Sequence, residues 1–335
     1  MSRRVRDRPR TTRPQAGCDI LLLGAGYLGS ELLGFLPPAD RITIFDHGRN
    51  FERIAASRSF DPRRMRLVAG DLMDRDLVRS MVGGADIVIN LTGGGGNAAV
   101  VRDLAKYTGT YVTGMENLVR SAERAGAGHL FLSSSISVYP SPPPGEVGEV
   151  TEATPPAPST PYGVLKLAAE RILTGSELSF TIFRISNLYG STELSPVPTA
   201  GLFGNAFRAI SRGEPLTVDG DGTQTIDYVH VRDACRCFRL LLPGREQGHG
   251  QRREVFNLGS GGVRSINDLA AILARIAGER LGRAPGILHR PIEGPVTNYP
   301  RMNTGSIHAA TGWVPEVKME DGLTEIFRHL ANKGP

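Results

Sequence analysis

A short apolar run that ends in a glycine cluster and then turns helical is the strongest constraint in this chain. Residues 18–23 (CDILLL) show no polar alternation, and Gly24, Gly26 and Gly29 follow at once as G-x-G-x-x-G. A strand reads as a continuous apolar run when both of its faces are covered, as in a parallel sheet flanked by helices. The same alternation returns along the chain. A helix is expected over 27–36, strands over 41–45 (RITIF), 66–69 and 85–91 (ADIVINL), a helix over 112–125, a strand over 129–132, a helix over 162–174 and a strand over 180–185 (FTIFRI). Regular alternation of this kind predicts an α/β fold built on a doubly wound parallel sheet. Beyond Asn187 the pattern loosens into short elements and turns such as DGDG at 219–222, which suits a smaller C-terminal lobe closing over the sheet.

At 335 residues the chain can bury a large core without disulfides or metal. Its three cysteines, Cys18, Cys235 and Cys237, are odd in number and have no zinc-ligand partners at the usual spacing, so no metal site and a reducing, cytoplasmic compartment are expected. No apolar run reaches the length of a membrane span, and no apolar segment follows the N-terminal charges, so neither a membrane span nor a secretory signal is expected. The formal charge of +5 resides in residues 1–15, which hold six arginines and one aspartate. The remainder is close to neutral, which argues against nucleic acid as a partner. The basic, apolar-poor tail, taken as residues 1–17, is expected to be disordered, with RNA, membrane-surface or targeting roles left open for it.

The glycines point to a dinucleotide. They allow a tight turn and bring main-chain N–H groups of the helix start, including those of Tyr27 and Leu28, against a pyrophosphate. Asp46 ends the second strand about 20 residues on, where a carboxylate accepts from ribose hydroxyls and repels a 2′-phosphate, favouring NAD over NADP. Arg49 nearby weakens that preference unless it is simply a solvated loop residue. After the third strand, Asp71 and Leu72 are placed to flank the adenine; Asp71 can equally cap a helix over 73–81. Asn90, Thr92 and Gly93, with three more glycines behind, end the fourth strand where the main chain can approach the cofactor, or form a merely flexible loop.

Tyr162 and Lys166 stand four residues apart, on one helix face. An ammonium there can lower the phenol's pKa from about 10 toward neutrality, making it a usable acid and base, and can hold a ribose. Ser135, at the carboxyl end of a buried strand, can hydrogen-bond the same substrate oxygen. The Pro-rich stretch 140–161 must be a loop, expected to pass over this site.

At this point the sequence resembles the extended short-chain dehydrogenase/reductase family, the nucleotide-sugar epimerases and dehydratases that include the UDP-galactose 4-epimerases. The likeness runs from about Asp19 to Phe327, on FLSSSISVYP (131–140), PYGVLKLAAERIL (161–173), FRISNLYG (183–190), EPLTVDGDGTQTIDYVHVRDA (214–234), FNLGSGGVRSINDLA (256–270) and GWVPEV (312–317). The resemblance implies a Rossmann-type NAD-binding domain over 18–185, with returns near 224–262, and a mainly substrate-binding lobe over 186–335. It implies catalytic roles for Ser135, Tyr162 and Lys166, substrate contacts from Ser135, Ser137 and Asn187, and a diphosphate-binding Arg290. It also implies a homodimer formed through the helices at 112–125 and 162–174.

The chain departs from the family pattern at Leu23, where the first glycine is expected, at 90–93 in place of H-x-A-A, at Tyr111 in place of asparagine, and at Ile226 in place of an arginine. Dehydratases of the family place Asp and Glu directly after the catalytic Ser or Thr; here Ile136 and Ser137 stand there, and neither does acid–base work at neutral pH. A fucose-synthase type of enzyme would carry Cys at the second position, for which Ser137 is a poor acid. The expectation is therefore an NAD-dependent nucleotide-sugar epimerase that works through a transient keto-sugar. An NAD(P)H-dependent ketoreductase on a nucleotide-linked sugar is the alternative, and a non-catalytic dinucleotide sensor is the alternative of another class, one with no chemical need for Ser135, Tyr162 and Lys166.

Overall fold

The computed structural model describes residues 17–143, 145–195, 201–245, 251–291 and 298–331. The tail, residues 1–16, lies outside the described residues. Elements follow in the order β1 (Asp19–Leu23), α1 (Tyr27–Leu32), β2 (Arg41–Asp46), α2 (Phe51–Ala55), β3 (Met65–Ala69), α3 (Arg75–Val82), β4 (Ile87–Asn90), α4 (Gly96–Arg102), α5 (Leu104–Thr108), α6 (Met115–Ala125) and β5 (His129–Ser135). They continue with β6 (Glu149–Val150), α7 (Pro161–Thr174), β7 (Phe180–Ile185), β8 (Asn187–Tyr189), α8 (Gly201–Arg212), β9 (Leu216–Asp219), β10 (Thr225–Ile226), β11 (Tyr228–His230) and α9 (Val231–Leu241). Last come β12 (Arg253–Leu258), β13 (Arg264–Ser265), α10 (Ile266–Leu281), β14 (Ile287–Arg290), β15 (Arg301–Met302), α11 (Gly305–Thr311) and α12 (Met319–Ala331).

Seven strands pair in the order β12-β7-β5-β4-β1-β2-β3, all parallel. The apolar run at 19–23 is explained by its two destinations. Ile20 and Leu22 join the core beneath α1 and α9, while Leu21 and Leu23 join the core beneath α3, α6 and α7. The order reverses between β1 and β4, and a doubly wound sheet opens a crevice at the carboxyl ends of such a pair. A separate core of Phe203, Phe207, Leu269, Leu273, Leu323 and Phe327 gathers α8, α10 and α12 around β9.

Several boundaries move from their expected places. α1 ends at Leu32 rather than at 36, where Gly34 and Pro37 follow. β5 continues through Ser133, Ser134 and Ser135 because each is paired with β7. The helix expected over 73–81 starts at Arg75 and is capped by Asp74, whose side chain accepts from Leu77 N–H at 3.0 Å, so Asp71 is not its cap. The helix expected over 112–125 is regular only from Met115, because residues 109–114 form a π-helical turn. Within the proline-rich loop, β6 pairs with β15 and so ties it to the C-terminal region. Among the described residues no helix is long and apolar enough to cross a membrane, and no cluster of three or more His, Cys, Asp or Glu side chains is arranged to hold a metal ion.

Candidate active site

α7 brings the reacting groups to the carboxyl edge of the sheet. Thr160 caps it by accepting from Gly163 N–H at 3.1 Å, and Pro161 occupies its first turn, where a missing N–H costs nothing. Gly163 has no room for a side chain, since a Cβ would overlap the carbonyl oxygen of Ser137. The helix therefore seats directly on the single 3₁₀ turn at 136–138 that follows Ser135.

This seating gathers the three expected catalytic residues. The Tyr162 hydroxyl comes under the influence of the Ser135 and Tyr111 hydroxyls, both of which favour its ionised form. One turn along, Lys166 is buried and its Nζ donates to the Ser133 carbonyl at 2.8 Å. The same nitrogen lies 5.8 Å from the Tyr162 ring centre and 5.0 Å from that of Tyr111. The expected drop of the phenol toward neutrality is not what this arrangement does. Burial holds Tyr162 up at about 12, against the pull of the Ser135 and Tyr111 hydroxyls, because the ammonium is engaged by Ser133 and faces ring planes rather than the hydroxyl. Burial acts oppositely on Lys166, lowering it to about 8.

A buried network supports α7 from below. Arg184 pairs with Glu170 (Nη2 to Oε2, 2.8 Å), Ser134 also donates to Glu170, and Arg184 donates to the Tyr139 hydroxyl at 3.0 Å. Tyr139 in turn donates to Asn257 at 2.6 Å, so β5, β7, β12 and α7 are joined by polar contacts that leave neither charge alone.

The β1–α1 turn fits a dinucleotide. Gly24 has φ +91°, a Cβ on Gly29 would overlap the Gly24 carbonyl oxygen, and a Cβ on Gly26 would meet nothing within 4 Å. The turn is thus closed on its inner side and open to a phosphate on its outer side. Asp46 accepts from Ala25 N–H at 2.8 Å, joining the carboxylate at the end of β2 to this turn. Tyr27 reaches away from the turn, donating to the Gly190 carbonyl at 2.6 Å, and Leu28 is buried, so both offer the turn main chain only.

Asp71 is half-exposed, accepts from Met73 N–H at 2.9 Å and lies 4.0 Å from His47. The Leu72 side chain is buried against Gly114, and its carbonyl accepts from Asn117 at 3.0 Å. Asn90 shapes the turn after β4 by accepting from Thr92 N–H at 3.0 Å and Thr92 Oγ1 at 2.7 Å, and Gly93 follows with φ +87°.

Ser137 N–H donates to Ser135 Oγ at 3.1 Å, and its hydroxyl favours the ionised form of the nearby Tyr299 phenol. Asn187 lies on β8, with its amide 3.4 Å from the Asp227 carbonyl. Arg290 is not brought to this group. It is exposed on β14, ion-paired with Asp219, and borders a cleft of about 360 Å³ with Leu202, Asn205, Arg212 and Gln224. Two tyrosines beside Tyr162 escaped sequence reasoning as site residues. Tyr111 stood out only as a departure from the family pattern. Tyr299 has no local signal: Asn298 fixes its segment by holding Thr225, Ser141 and the Pro143 and Glu146 carbonyls.

Comparison with known proteins places these features in a family. The NAD dependent epimerase/dehydratase family matches residues 20–259. A dTDP-glucose 4,6-dehydratase of Streptomyces niveus is 28% identical over 319 residues, covering 90% of this chain and 89% of its own. A UDP-glucose 4-epimerase of Azospirillum brasilense is 27% identical over 330 residues, covering 90% and 88%. The solved structure of MoeE5 in complex with UDP-glucose and NAD superposes with a TM-score of 0.77 at 26% identity, covering 94% of this chain and 99% of that one. The chain is an enzyme of the extended short-chain dehydrogenase/reductase class and belongs to the NAD dependent epimerase/dehydratase family.

Proposed function

We propose that this enzyme is an NAD-dependent nucleotide-sugar epimerase whose reacting groups are Ser135, Tyr162 and Lys166. The observation that carries the reading is the composition of the site around Tyr162: a serine hydroxyl, a phenol and an ammonium, with Ile136 and Ser137 next to Ser135 where a dehydratase needs carboxyl groups. Ile136 is 2% exposed and packed in the core, and Ser137 is committed to Ser135 and Tyr299. MoeE5, a neighbour over nearly its whole length, was solved with a nucleotide sugar and NAD, which supports the same pair of ligands here.

The glycine turn, Asp46 and the 90–93 loop would hold NAD, with Asp46 favouring it over NADP. NAD when bound supplies a hydride acceptor and, on the return step, a hydride donor. Tyr162 takes the proton of the substrate hydroxyl as that carbon is oxidised and restores it after the keto-sugar has presented its other face. Ser135 orients the oxygen, and Lys166 would hold the ribose of the bound cofactor. Asn187 and Ser137 line the sugar, and Arg290 with its cleft serves the nucleotide end. Val101 and Leu104 on α4 and α5, and Val164 on α7, are exposed apolar side chains suited to a homodimer through the α6 and α7 face, in the cytoplasm.

The test is to denature the purified enzyme, identify released cofactor, and follow UDP-, dTDP- and GDP-sugars by NMR with wild type and Tyr162→Phe. An epimerase yields a stereoisomer with no net NADH consumed, and Tyr162→Phe lowers the rate by about 10²- to 10⁴-fold. A 4-keto-6-deoxy product would make the enzyme a dehydratase. Stoichiometric NAD(P)H consumption would make it a reductase. Bound cofactor without turnover of any sugar would favour the sensor.

A further inference from the structure

Tyr111 occupies the one irregular turn between α5 and α6. A π-helical turn inserts a residue into a helix and re-aims its side chains, and such turns concentrate at functional sites. Here the turn at 109–114 directs Tyr111 inward, where it is buried. Its ring meets that of Tyr162 edge-on, with centres 6.3 Å apart and planes at 75°. The Lys166 ammonium lies closer to the Tyr111 ring than to that of Tyr162. The Tyr111 hydroxyl donates to the Gly93 carbonyl and stands near the Tyr162 hydroxyl, whose ionised form it favours.

Gly93 is matched to this side chain. Its φ of +87° disfavours any other residue, and a Cβ there would come within 2.5 Å of Tyr111 Cε1. The glycine at 93 and the tyrosine at 111, two departures from the family pattern, therefore form one fitted contact.

A phenol has one proton to donate and lone pairs to accept with. While Tyr111 donates to Gly93 it has no proton to offer Tyr162, and Tyr162 stays the neutral phenol. Once the Tyr162 oxygen is ionised, a rotation about the Tyr111 C–O bond moves that proton from the Gly93 carbonyl to the Tyr162 oxygen. The new hydrogen bond is charge-assisted and stronger than the one given up. We propose that Tyr111 is a positioning residue for Tyr162, a second phenol that switches its hydrogen bond from Gly93 to the ionised Tyr162 oxygen and so makes that residue a stronger acid. The inference rests on the reading of Tyr162 as the reacting group. Burial raises Tyr111 far more than Tyr162, which keeps Tyr111 the donor of the pair.

The experiment needs no substrate. A polyfluorinated tyrosine is placed at position 162, its greater acidity bringing the titration into the range where the protein is stable. Fluorine NMR then follows its ionisation in the NAD-loaded protein with Tyr111 intact and with Tyr111→Phe, which keeps the ring and removes only the hydroxyl. The midpoint is expected to rise by about one to two pH units in Tyr111→Phe, the effect of losing a hydrogen bond to a charged group. Identical midpoints would overturn the proposal. Turnover of the nucleotide sugar by Tyr111→Phe, without the fluorinated residue, is read beside it. A midpoint shift in a protein that epimerises nothing would sink the assigned reaction and leave the switch standing, whereas normal epimerisation without a shift would sink the switch alone.

Discussion

Substituting alanine at Gly26 and at Gly29 separates the two jobs of the β1–α1 turn. At Gly29 an added Cβ would overlap the Gly24 carbonyl oxygen, a main-chain atom pinned by the strand before it, since Gly24 N–H donates to Phe45 O at 2.9 Å. Nothing flexible can yield, so the start of α1 must shift away from β1 and lose contacts made by Leu28 and Leu32, both in the core. Overpacking of a well-filled interior costs typically ~1–3 kcal/mol, and a rigid backbone obstacle puts Gly29→Ala near ~3. For a chain of this size that is a fall in Tm of roughly 4 °C.

At Gly26 the added methyl meets nothing within 4 Å, so Gly26→Ala should melt within about 0.5 kcal/mol of wild type. Its methyl instead stands on the open side of the turn, where the pyrophosphate must approach the main chain. NAD affinity should fall at least ~10-fold in Gly26→Ala, equivalent to about 1.4 kcal/mol, while Gly29→Ala loses affinity and Tm together. Differential scanning calorimetry of the protein stripped of cofactor, with calorimetric titration of NAD, reads both quantities. The reasoning fails if Gly26→Ala binds NAD as wild type does, or if Gly29→Ala melts unchanged.

Lys166 is lowered to about 8 in the fold from 10.5, so between those values the unfolded chain holds the extra proton and the Lys166 contribution to stability rises with pH, by about 3 kcal/mol in all, while turnover falls above pH 8 as the ammonium is lost. Urea unfolding and rate measurements across pH 8–10 would show both, the Lys166 share being the difference in slope between wild type and Lys166→Met, which cancels the opposing buried tyrosines and cysteines; identical slopes contradict the burial argument. His129, buried against Thr181 Oγ1 at 2.9 Å, and His230, buried beside Arg232 N–H, are lowered by desolvation from 6.5 to about 3 and about 4. Full stability therefore holds above pH 6.5 and is lost below it at about 1.4 kcal/mol per pH unit for each histidine, and His129→Gln should halve the slope measured by urea unfolding between pH 6.5 and 5.

The parallel sheet was legible because its cause is local. A strand covered on both faces reads as a nearly continuous apolar run, and 20–23 and 87–89 do so, while 180–185 is broken only by Thr181 and Arg184. Tyr162 and Lys166 were legible for the same reason, since four residues on a helix always share a face, and the glycine spacing states its own turn. Each of these features has its physics contained in a few neighbouring residues.

The rest came from contacts between distant segments. Tyr111 reaches Gly93 and Tyr162, and Tyr299 reaches Ser137, across separations that no local period encodes. The phenol's acidity also depended on the third dimension. Spacing placed an ammonium near it, but only the fold decided that the ammonium would face ring planes and a carbonyl while burial set the balance. Arg290 shows the same limit, because its place opposite Asp219 depends on which strand β14 chose to pair with. Short-range geometry follows from covalent spacing, whereas desolvation and long-range hydrogen bonding exist only once the chain has closed on itself.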